Sequence, residues 1–123
     1  MAAPNIVNVT SIIGITTAVG LSTTAVTTFL SNADASGKVL KINTVVAAGI
    51  GTAQGNITLK YHLAAAGAGT SIALANTITV PTGASLVIIG KDNPIYLEEN
   101  RSLTAQASVA DNIAIVCSYE DIS

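Results

Sequence analysis

Thr77-Ile78-Thr79-Val80 runs into Pro81-Thr82-Gly83, and Leu86-Val87-Ile88-Ile89 runs into Gly90-Lys91-Asp92-Asn93-Pro94. Ile95-Tyr96-Leu97 then meets Glu98-Glu99-Asn100-Arg101, Leu103 to Val109 ends at Ala110-Asp111-Asn112, and Ile113 to Tyr119 closes the run. Apolar runs of strand length, cut at short intervals by Gly, Pro, Asn and Asp, predict an antiparallel arrangement of strands. Leu103, Ala105, Ala107 and Val109 alternate with Thr104, Gln106 and Ser108. Ile113, Ile115, Cys117 and Tyr119 alternate with the small residues Ala114 and Ser118 and with Val116. Leu86 to Ile89 is apolar on both faces, which predicts either a central strand or one covered by a partner subunit.

Upstream, Asn56 to Leu63 alternates most cleanly. Ile57, Leu59, Tyr61 and Leu63 line one face, and Asn56, Thr58, Lys60 and His62 the other. This period of two is what a half-buried strand requires. Ala64 to Thr70 contains Gly67 and Gly69 and reads as a hairpin loop, with a strand following over Ser71 to Asn76. Lys38 to Ala48 places Leu40, Ile42 and Val46 on one face against Lys41 and Asn43. Ser31 to Gly37 and the Gly-rich Gly49 to Gly55 read as loops. Thr23 to Leu30 is a strand by its Thr density, with Val26, Thr28 and Leu30 opposite Ala25, Thr27 and Phe29. Asn5 to Val9 reads as a first short strand, and Thr10 to Gly20 as a second strand or as part of an extended N-terminal arm reaching residue 22. Eight to ten strands in 123 residues predict one all-β domain, an antiparallel β-sandwich or jelly roll. Ile57, Leu59, Tyr61, Leu103, Ile113 and Ile115 are expected in its core.

Half of the residues are hydrophobic, but only 10% are charged and 3% aromatic. Thr and Ser interrupt every apolar run, so no stretch is long enough for a membrane-spanning helix. The opening Met1 to Asn5 has neither a basic region nor an apolar segment of the kind a secretory signal needs. One cysteine excludes an internal disulfide framework. A net charge of −2 gives no electrostatic footprint for nucleic acid. Lys38, Lys41, Lys60 and Lys91 stand against Asp34 in residues 1–91, whereas residues 92–123 set Arg101 against six carboxylates. That asymmetry marks either solvated loops or a two-signed surface through which copies meet.

No set of residues announces a reaction, a metal or a cofactor. His62, the single histidine, shares the polar face of its strand with Lys60 and reads as a surface residue, because a metal needs three or four ligands. Cys117 lies in an apolar strand and reads as a buried, inert thiol. Glu98 and Glu99 are neighbours, so on a strand they diverge and read as a solvated turn rather than an acid–base pair. Asp92-Asn93 and Asp111-Asn112 read as turn formers, since calcium would need several more converging oxygens. Gly49-Ile50-Gly51 and Gly67-Ala68-Gly69 lack the pattern and the strand-to-helix setting of a phosphate loop. The sequons at Asn8 and Asn56 read as chance in a Thr-rich chain.

The segments NTITVPTGASLVII (76–89), IYLEENRSLTA (95–105) and CSYEDIS (117–123) resemble small virion structural proteins of tailed bacteriophages, above all those of phages of marine cyanobacteria. The opening MAAPNIVNV (1–9) and SGKVLKIN (36–43) extend the resemblance over nearly the whole chain. The family pattern has Gly-Asp where this chain has Asn100-Arg101. Asn also tolerates the left-handed backbone of a tight turn, but the change removes an acidic charge. The resemblance implies a β-sandwich or jelly roll that decorates the capsid exterior as a cement protein. Its implied partners are the major capsid protein and further copies of itself, with a trimer expected from the family's habit. Its implied place is the capsid surface, after synthesis in the host cytoplasm. A neck, tail or fibre component and a receptor- or carbohydrate-binding module are the alternatives; the lack of Trp weighs against the last.

Overall fold

The computed structural model describes residues 9–123, which form nine strands and one short 3₁₀ turn, with no α-helix among them. The strands are β1 (Ile12–Gly20), β2 (Thr27–Asn32), β3 (Val39–Gly49), β4 (Gly55–His62), β5 (Ser71–Val80), β6 (Ser85–Ile89), β7 (Ile95–Leu97), β8 (Arg101–Ala107) and β9 (Ile113–Ile122). One sheet has the order β1-β9-β3-β6, with β7 also paired to β3, and the other the order β2-β8-β4-β5. Every pairing is antiparallel. The chain therefore changes sheet at almost every connection, and only β4–β5 and β6–β7 stay within one. With β6 and β7 counted as the two halves of a single interrupted strand, this is the eight-stranded jelly roll.

Ile12–Gly20 is a full edge strand, paired to β9 from Ile12–Ile122 to Gly20–Ala114. Of the earlier expected strand over Asn5 to Val9, residues 5–8 lie outside the described residues, and Val9 belongs to no strand. The core lies between the sheets. Ile57, Leu59, Leu103 and Ile113 are wholly buried there with Ile42, Val45 and Leu97. Ile115 is buried with them, and Tyr61 packs against this cluster while part of its ring stays exposed.

Three stretches depart from simple alternation, each at a bulge. In β3 the register slips between Ile42 and Thr44. Val45 and Ala47 then point to the core instead of Val46. In β2 the slip between Thr28 and Leu30 lets the adjacent Phe29 and Leu30 both be buried, whereas Val26 is exposed ahead of the strand. The predicted strands Ser71 to Asn76 and Thr77 to Val80 are one strand, β5, that crosses irregularities opposite Ile57 to Lys60. One extra residue on one side of a ladder accounts for each shift.

Two other placements differ from expectation. Of the two readings of Leu86 to Ile89, the central strand fails: among the described residues β6 is paired only to β3, and Val87 is 60% exposed. Leu63 falls beyond the end of β4 and is also exposed.

Candidate functional site

The outer face of the β2-β8-β4-β5 sheet divides into two halves. Residues 63–70, the β4–β5 loop, fold back over one half. Backbone amides of this loop donate to side chains beneath it: Ala65 to Asn100 Oδ1 at 3.0 Å, Ala66 to Ser31 Oγ at 2.9 Å and Gly67 to Ser102 Oγ at 2.9 Å. Ser102 in turn donates to the Ala64 carbonyl at 2.7 Å. Gly67 sits so close that a Cβ there would stand 2.6 Å from Thr28 Oγ1, and its φ of +72° suits glycine.

The loop buries polar residues that the strand pattern places on a solvent face. Ser102, Thr104 and His62 are all buried. This corrects the reading of His62 as a surface residue. Its Nε2 lies 2.8 Å from Thr104 Oγ1, while Nδ1 is shielded without a protein partner. Alternation alone signals nothing of this, because the covering loop is recruited by hydroxyls about 35 residues away in sequence.

Glu98 is exposed as expected, but Glu99 is half-buried and both of its carboxylate oxygens are shielded without a hydrogen-bond partner among the described residues. The pair is therefore not a uniformly solvated turn. Cys117 is fully buried in β9, and desolvation pushes its thiol up to about 12. At neutral pH almost no thiolate exists to act as a nucleophile. Asn93 Oδ1 accepts the Gly90 amide at 3.0 Å, the local bond expected of a turn former. Asp111 takes a left-handed φ of 63°, and Asn112 is buried against Gly51. Among the described residues no three His, Cys, Asp or Glu side chains gather as metal ligands would, and no helix is long and apolar enough to cross a membrane.

The two-signed charge pattern is partly consumed inside the chain. The β3–β9 register brings Lys38 Nζ to 3.2 Å from Asp121 Oδ2 and Lys41 Nζ to 3.9 Å from Glu120 Oε2. No family model, curated protein or solved structure matches this chain.

The surface has one feature that ordinary monomers avoid. Among the described residues β5 and β6 each have a single ladder partner, and their edges lie side by side. Leu74 and Ile78 from β5 and Leu86, Val87 and Ile88 from β6 line an apolar groove of about 210 Å³ between them. Ile72 continues the strip along β5 and is 57% exposed. At the opposite edge of the first sheet, Ile12 and Ile13 of β1 are each 55% exposed. Unpaired strand edges carrying apolar side chains pair with other chains unless something covers them.

Proposed function

We propose that this protein is a non-enzymatic structural component of a tailed-phage virion, and specifically a decoration protein of the capsid exterior. The observation that carries the reading is the exposed apolar edge built by β5 and β6, together with the exposed isoleucines on β1. The resemblance of residues 76–89, 95–105 and 117–123 to small virion proteins supplies the setting. A jelly roll supports it as well, since viral capsid domains use that architecture, although the fold alone assigns no function.

In this reading the β5/β6 groove is an association surface. It takes a neighbouring copy, or the shell itself, and so removes apolar side chains from water at about 25 cal/mol per Å². A ring of copies in which the β1 edge of one meets the β5/β6 edge of the next closes without growing a fibre. A trimer is the expected ring. Bound across joints between shell subunits, such a unit stabilises the assembled shell, because any ligand that prefers one state shifts the equilibrium toward it.

Sedimentation equilibrium of the purified protein at micromolar concentration tests the association. The expected result is a trimer that Val87→Asp converts to a folded monomer, since the substitution is at an exposed site and places a charge in the contact. A wild-type protein that stays monomeric, both in solution and as separated copies on the particle, contradicts self-association.

A further inference from the structure

The uncovered half of the same outer sheet face holds a second, polar pocket of about 360 Å³. Its floor is Asn56 and Thr58 of β4 and Gln106 of β8, with Ser108 just beyond that strand; Thr24 from the β1–β2 loop and Thr77 of β5 complete the wall. Thr58 and Gln106 are cross-strand partners in the ladder. The lining contains no charged and no aromatic side chain.

The side chains of Gln106, Asn56, Thr58 and Ser108 are each held by one internal hydrogen bond and keep other bonding capacity. Gln106 Nε2 donates to the Thr24 carbonyl at 3.1 Å, which fixes the amide and leaves Oε1 as an acceptor. Asn56 Oδ1 accepts the Thr79 hydroxyl at 3.0 Å, which leaves its NH₂ group as a donor. Thr58 Oγ1 accepts the Thr77 amide at 3.1 Å, and Ser108 Oγ accepts the Asn56 amide at 2.8 Å, so both hydroxyl protons stay available. Thr77 itself sits at a φ of 54°, an unusual backbone for a β-branched residue. It lies in the bulge of β5, where Asn76 and Thr77 together face Thr58, and the bulge turns Thr77 toward the pocket wall.

We propose that this pocket binds one uncharged sugar unit of a glycan. A ring hydroxyl both donates and accepts, and the lining offers both kinds of partner: the Asn56 NH₂ and the Thr58 and Ser108 hydroxyls as donors, and Gln106 Oε1 as an acceptor. An anion or a cation would lose its hydration without a countercharge in the lining. An apolar ligand would leave the amides and hydroxyls unpaired. The volume lies at the small end of ligand pockets, which run from about 300 to 1,000 Å³, and suits a single ring rather than a long chain. With no aromatic platform, recognition rests on hydrogen bonds and a single site binds weakly; several copies on one particle would add avidity. The site does not depend on the capsid reading, because a protein absent from virions could still bind sugar, and a decoration protein could fail to.

Two-dimensional NMR of the ¹⁵N-labelled protein tests it, with maltose, cellobiose, lactose and mannobiose titrated to millimolar concentration and glucuronate as the anionic control. Saturable shifts are expected at the backbone amides of Thr58, Thr77 and Ser108 and at the side-chain amides of Asn56 and Gln106, for at least one neutral sugar and not for glucuronate. Gln106→Ala and Thr58→Val are expected to weaken that binding by about tenfold each, the equivalent of one good hydrogen bond, while the amide spectrum of each variant stays that of the folded protein. No saturable response to any neutral sugar overturns the proposal. Shifts confined to other surfaces, equal binding of glucuronate, or variants that bind as wild type overturn it too.

Discussion

Leu59→Asp is expected to leave the chain unfolded. Leu59 is fully buried in β4, where it pairs with Ala105 on β8 and with Ala75 on β5. No basic side chain lies among the residues that form this core. A carboxylate there must either stay charged and unpaired or take up a proton, and both routes cost several kcal/mol. A domain of this size has only about 5–15 kcal/mol of stability in total. The far-ultraviolet circular dichroism spectrum of the variant should lose its β-sheet signature, and size exclusion should show expanded or aggregated chain. A soluble protein with a cooperative thermal transition would contradict the core assignment. Thr58→Asp, one residue away on the outer face, is the matched control and is expected to fold.

The second large effect is expected at Gly49. It ends β3, where its amide donates to the Ala84 carbonyl at 2.8 Å and its own carbonyl accepts the Gly83 amide at 2.9 Å. The β5–β6 turn thus clasps the end of β3. A Cβ at Gly49 would collide with the carbonyl oxygen of Pro81. The obstacle is backbone and cannot rotate away as a side chain could. Overpacking of this kind costs roughly 1–3 kcal/mol. Gly49→Ala should therefore lower Tm by roughly 5–15 °C, and Gly49→Val by more. Gly14 in β1 is the contrast, because a Cβ there meets nothing within 4 Å. Gly14→Ala should change Tm little. Equal effects at the two positions, read by differential scanning calorimetry, would show that the clasp is not rigid.

These two sites also mark what was legible in the sequence. The face that carries Ile57, Leu59, Leu103, Ile113 and Ile115 follows from alternation, because the burial of one sheet face imposes a period of two on each strand. The same rule misplaces Val46 and cannot bury the adjacent Phe29 and Leu30 together, since a bulge inverts the parity after it and leaves no reliable mark in the local sequence. His62 and Thr104 look solvent-facing by the same alternation, yet they are buried by a loop whose amides seek Ser31, Asn100 and Ser102. Those contacts are long-range and arise only once the strands have been brought into register.

The edge position of β6 was equally hidden. A run such as Leu86 to Ile89, apolar on both faces, looks the same whether the sheet continues past it or stops. In the structure the sheet stops there, which turns an internal-looking strand into exposed surface. The polar pocket depends on the turn of Thr77 into positive φ and on the approach of the β1–β2 loop to Gln106. Neither is written in composition or spacing, so the candidate sites came from the fold, and the resemblance supplies only the proposed setting on a virus particle.

The proposed virion role is tested most directly on purified particles of a phage whose genome carries this sequence. Mass spectrometry should find the protein in them, and cryo-electron microscopy should place it on the outer shell with the β5/β6 edge covered by a neighbour. Its absence from purified particles would contradict a virion role. Its presence only at the neck, tail or fibres would contradict decoration of the capsid.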